Sequence, residues 1–177
     1  MKVEKEVILL KVLDEDFFFN YEEHWVNEFK GQGRQMSFVC IEDCPLDDLQ
    51  IPASYTCLIN VVDLSSDPEN PELKVWYCTP DPGNKLRDVM DKLAAKDKTV
   101  ADADIYIEVS KKQEKNKRYS YTVSSVKLRD LEEDWPDIQP LSKKELADFE
   151  AKRYSEDDCI RITPRRDLLD IADELSE

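Results

Sequence analysis

Glycine is scarce, three in 177 residues, and there is a single histidine. So few glycines exclude the loops that cradle phosphates: Gly31-Gln32-Gly33 lacks both the third glycine and the strand–helix setting of a dinucleotide site. With one histidine, His24, a catalytic triad has one candidate and no flanking signature, and no nucleophile elbow is present. Long apolar runs are missing too. Val7-Ile8-Leu9-Leu10 falls far short of the ~20 residues a membrane-spanning helix needs. The start, Met1-Lys2-Val3-Glu4-Lys5-Glu6, has no apolar core of a secretion signal, so the expected compartment is the cytoplasm. Positive charge is in deficit: 25 Lys and Arg against 40 Asp and Glu give −15. That balance excludes a protein that coats nucleic acid over its whole surface. Forty carboxylates also make chance pairs certain, so no pair argues for acid–base chemistry, and the chain reads as a non-enzyme. Its five cysteines, an odd number, read as thiols or metal ligands rather than a disulfide framework.

The charge is unevenly spread. Residues 1–110 carry 11 basic and 23 acidic side chains, residues 111–129 seven and one, and residues 130–177 seven and 16. A basic island of +6 thus sits between acidic regions of −12 and −9. Its densest part is Lys111, Lys112, Lys115, Lys117 and Arg118, with Tyr119 and Tyr121 beside it. Cations interleaved with flat rings suit single-stranded nucleic acid, which offers phosphates and bases together. On the solvated alternative, the lysines are only a loop tip.

The middle of the chain predicts strands over Glu6–Leu13, Ser37–Ile41, Tyr55–Leu64, Leu73–Thr79, Asp104–Ser110 and Arg118–Lys127, rich in β-branched and aromatic residues. Between the fourth and fifth, Leu86, Val89, Met90 and Leu93 recur at helical spacing over Pro82–Lys96. Ser142-Lys143-Lys144-Glu145 is a capping box opening a helix. Leu168, Ile171, Ala172 and Leu175 mark another over Asp167–Leu175. The expected fold is mainly β (α+β), a five- to six-stranded barrel of the oligonucleotide/oligosaccharide-binding (OB) kind over residues 1–129, with one inserted helix. Residues 130–177 are expected to form an acidic, partly helical extension. Alternation along the fourth strand sets Lys74 and Trp76 on one face, and Tyr106 lies opposite Ile105 and Ile107. Both rings join the expected nucleic-acid face.

Cys40 and Cys44 have three residues between them, Asp47 follows, and His24 could join them from a preceding strand. Thiolate, imidazole and carboxylate are all competent zinc donors. The plain alternative is two buried thiols beside a half-buried His–Trp pair.

His24-Trp25-Val26, Ser37-Phe38-Val39-Cys40 and Asp43-Cys44-Pro45-Leu46 together resemble the single-stranded-DNA-binding proteins of tailed bacteriophages. The likeness continues through Asn60–Leu64, Leu73–Trp76, the Asp104–Ser110 strand, Tyr119-Ser120-Tyr121 and Leu131–Trp135, so it spans roughly residues 7–175. It implies an OB-type barrel that binds single-stranded DNA in replication or recombination inside the infected host. It also implies a structural zinc site on His24, Cys40 and Cys44, with Asp47 standing where the family has its last cysteine. The acidic C-terminus would recruit replication or recombination partners and compete with DNA for the basic groove; Leu168, Ile171 and Leu175 could dock it in a partner. A reading from another class is an acidic protein-interaction or inhibitor module on a barrel that has lost DNA binding.

Overall fold

The structure, a computed structural model, describes residues 7–26, 36–114 and 119–176. Its strands are β1 (Val7–Val12), β2 (Phe19–Val26), β3 (Met36–Val39), β4 (Ala53–Asp63), β5 (Glu72–Cys78), β6 (Ile105–Gln113) and β7 (Tyr119–Lys127). The helices are α1 (Pro45–Asp48), α2 (Pro80–Ala94), α3 (Leu131–Asp134), α4 (Lys143–Glu150), α5 (Glu156–Cys159) and α6 (Arg165–Leu175). The class is mainly β (α+β), as the sequence predicts. All seven strands join one antiparallel, barrel-like sheet; β2, which carries His24, is absent from the six expected spans.

The long strand β4 organises the sheet. One of its edges pairs β2 along Ala53–Leu58 and β1 along Val61–Asp63, while the other pairs β5 along Cys57–Asp63. β1 continues the sheet to β6, and β6 to β7. Among the described residues β5 and β7 do not pair, and α2 packs against both and against β4. Asp81 of α2 accepts from the Tyr121 amide at 3.2 Å, and Lys85 donates to the Tyr121 carbonyl. The helix thereby occupies hydrogen-bonding groups that an open strand edge would expose.

β1 is buried on both faces, which is why Val7–Leu10 is a continuous apolar run rather than an alternation. Ile8, Leu10 and Val12 pack with Trp76 and with Leu86, Val89, Met90 and Leu93 of α2. Leu9, on the opposite face, packs with Val62, Tyr106 and Val126, and residues 131–149 cover them through Leu131, Ile138, Leu146 and Phe149. The capping box of α4 is formed, with Ser142 Oγ accepting from the Glu145 amide at 3.3 Å.

The segment after residue 130 is therefore a layer of the fold. It runs on across the sheet, where Asn60 grips Tyr154 through both its amide oxygen (2.9 Å) and its amide nitrogen (3.1 Å). Arg153 pairs with Asp14 at 3.2 Å. The chain ends on a third cluster, where Leu168, Ile171 and Ala172 of α6 meet Leu46 of α1 and Phe38 of β3. No helix among the described residues is long and apolar enough to cross a membrane.

Candidate metal centre and nucleic-acid face

His24, Cys40, Cys44 and Asp47 converge, with one ligand atom from each lying within 4.8 Å of the others. The local fold explains the convergence. His24 lies in β2 opposite Phe38 of β3, and Cys40 follows β3 immediately, its amide donating to the Glu22 carbonyl at 2.8 Å. Asp43 adopts φ 52, a left-handed conformation that aspartate tolerates better than most residues. The reversal brings Cys44 back as N-cap of α1, and Asp47 stands in that helix.

The electrostatics of the cluster favour a cation. His24 is fully buried, and its Nδ1 lies 2.9 Å from the Ile51 carbonyl. A carbonyl only accepts, so Nδ1 carries the proton and Nε2 presents a lone pair. Nε2 has no hydrogen-bond partner, and the nearest carboxylate oxygen, Asp47 Oδ1 at 3.5 Å, is also an acceptor. A cation between the buried Nε2 and the exposed Asp47 carboxylate would satisfy both acceptors. Burial first, then Asp47 and Cys44, push the Cys40 thiol up to about 11. The Nδ1–carbonyl bond is the outer-sphere support that metal-binding imidazoles usually have. The four residues can hold a metal ion. All five cysteines are free thiols.

The expected nucleic-acid residues divide into three groups. Lys111, Lys112, Tyr119 and Tyr121 lie together on the β6–β7 ladder, where Lys111 pairs with Tyr121 and Gln113 with Tyr119. Lys111 Nζ sits 4.0 Å from the Tyr119 ring centroid, and Tyr119 is 50% exposed. Tyr121 is half-buried against the α2 side of the core. Lys115, Lys117 and Arg118 lie outside the described residues.

Trp76 and Tyr106 must be reassigned. They are 2% and 1% exposed, packed in the two opposite cores, and offer no face on which a base could stack. Their surroundings are apolar on both sides of the sheet, so the alternation that set Trp76 beside Lys74 did not mark a wet face. Lys74 is also committed, to Asp63 at 2.9 Å and Glu72 at 3.1 Å. Leu168 and Ile171, expected to dock in a partner, are used within the chain on α1.

A set of rings outside those expected does face solvent. Tyr21, Glu23 and Trp25 alternate along one face of β2, and with Thr56, Tyr77 and Arg161 they line an open trough of about 420 Å³. Tyr77 donates to the Cys159 carbonyl at 3.3 Å. The exposed member of the β5 aromatic pair is thus Tyr77, and the period-2 pattern pointed to it once the buried side was known. No protein-family model, curated protein or solved structure matches this chain.

Proposed function

We propose that the protein binds single-stranded DNA stoichiometrically and without turnover, in replication or recombination of a tailed phage in the host cytoplasm. The observation that carries this reading is the β6–β7 ladder, where Lys111 and Lys112 lie beside the half-exposed Tyr119 in a molecule otherwise strongly acidic. Lysines neutralise phosphates there and the tyrosine ring supplies a stacking surface. His24, Cys40, Cys44 and Asp47 bind one zinc ion, whose chemistry at this site is to crosslink the β2–β3 hairpin to α1. The acidic C-terminal helix, its outer face still free, contacts partner enzymes.

The test is a titration of fluorescent oligo-dT at low and moderate salt. Each phosphate contact adds about 0.7 to the slope of log affinity against log salt. Changing Lys112, Lys115 and Lys117 to Glu abolishes binding and flattens that slope. A triple variant that binds like the parent removes the hairpin from the interface. The −15 net charge favours the second reading, an acidic interaction module; that reading takes over if the parent itself fails to bind at low salt.

A further inference from the structure

The trough on β2 is built like a small-ligand site. Its volume of about 420 Å³ falls in the usual range of roughly 300–1,000 Å³. Trp25 and Tyr77 stay 36% and 37% exposed there, although the neighbouring surface is covered by the C-terminal segment. Between them lies a carboxylate in an almost dry setting, since Glu23 is 5% exposed. Its Oε1 accepts from Thr56 Oγ1 at 2.8 Å, and its Oε2 accepts from nothing among the described residues. That oxygen is open to the trough and can accept from a donor that enters it.

We propose that this trough takes a single guanine base of the bound strand, read by Glu23. The rings of Tyr21, Trp25 and Tyr77 give stacking surface, which any base can use. The carboxylate discriminates because it can only accept. Guanine places two N–H donors side by side on its pairing edge, N1–H and the 2-amino group. Adenine and cytosine place a ring acceptor beside their amino group, and thymine has one N–H flanked by two carbonyls. The Glu23 oxygens match the first arrangement and repel the others. Arg161 at the rim is a partner for the nucleotide phosphate. The same guanidinium argues against the other occupant that rings and a carboxylate would suit, an organic cation in an aromatic cage.

The inference rests on the single-strand-binding reading for the source of the guanine: the hairpin would hold a strand of any sequence while the trough reads one base. The experiment is titration of the full chain with dGMP, dAMP, dCMP and dTMP, followed by tryptophan fluorescence, to which the exposed Trp25 responds. A second titration compares oligo-dT with the same oligomer carrying one central dG. Expected are about tenfold tighter binding of dGMP than of dTMP and a matching preference for the dG oligomer. Glu23→Gln keeps an oxygen for Thr56, and it should erase both preferences by weakening dGMP and the dG oligomer, while dTMP and oligo-dT, no longer repelled by the carboxylate, bind no more weakly than to the parent. Equal binding of dGMP and dTMP overturns the proposal. So does a Glu23→Gln variant that weakens all four nucleotides alike, or tetramethylammonium that quenches at lower concentration than dGMP. Binding of dGMP without any oligonucleotide binding would support the trough and overturn only the strand-binding reading.

Discussion

At the scale of single residues, the candidate metal centre depends on which nitrogen of His24 carries the proton. The Ile51 carbonyl decides this at 2.9 Å from Nδ1, aiming the Nε2 lone pair at Cys40, Cys44 and Asp47. The ligand spacing was legible in the sequence, because Cys40, Cys44 and Asp47 are separated by one turn and the start of one helix. The carbonyl that fixes the imidazole was not, because Ile51 is 27 residues away and backbone acceptors leave no mark in a sequence. Of the four candidate ligands Asp47 is the weakest, a hard and exposed oxygen donor beside two thiols. Protein purified without chelator should carry about one equivalent of zinc by elemental analysis. Asp47→Cys should hold it longer against chelator, since thiolate is the softer donor. Metal content near zero, with melting unchanged by chelation, would remove the ion from the account.

At the scale of elements, Lys11 fastens the connection between α2 and β6 to the inner strand β1. Its side chain is almost wholly buried, and Nζ donates to the carbonyls of Val100 (3.4 Å), Ala101 (2.9 Å), Asp102 (2.6 Å) and Ile105 (3.0 Å). Burial lowers the ammonium to about 8, against the pull of Asp102, Asp104 and Glu150. The unfolded lysine keeps its proton to about 10.5, so between these values the unfolded chain binds more protons. This group's contribution to stability therefore rises with pH above about 8. Raised cysteine and tyrosine groups such as Cys78 and Tyr77 act in the opposite sense at higher pH, so the parent must be compared with Lys11→Met. In urea unfolding between pH 7.5 and 9, that variant should lose the rise. Leaving the loop carbonyls without a donor should also cost it about 1–3 kcal/mol. Parallel pH profiles for the two proteins would show that Lys11 does not titrate there. The sequence concealed this role, since a lysine in an apolar strand reads as an outward residue. It exposed α2 fully, because Leu86, Val89, Met90 and Leu93 all lie on one buried stripe. The faces of β5 were misread for the opposite reason: the side that holds Trp76 packs against α2, and the wetter side is the one that holds Tyr77.

At the scale of the whole molecule, the segment from Leu131 to Leu175 lies over the sheet and ends by packing α6 on α1, beside the candidate metal ligands. Its acidity and its packing are thus carried by opposite sides of one helix: Leu168, Ile171 and Ala172 are buried, while Asp167, Asp170, Asp173 and Glu174 face solvent. Truncation would confound the two, because deleting residues 165–177 removes apolar cover from Leu46 and Phe38 along with the charge. Replacing Asp167, Asp170 and Asp173 with Asn and Glu174 with Gln separates them. The net charge then moves from −15 to −11, four carboxylates being neutralised, while the apolar stripe is kept. If the acidic face repels DNA or competes for the basic ladder, the quadruple variant should bind oligo-dT more tightly at low salt. The gain should fade toward 1 M salt, where charges are screened within about 3 Å. Its melting temperature should stay near that of the parent, whereas the truncation should melt lower and hold metal less tightly. An affinity that does not move with the four neutralisations, at any salt, would confine α6 to packing and leave the acidic surface to a protein partner.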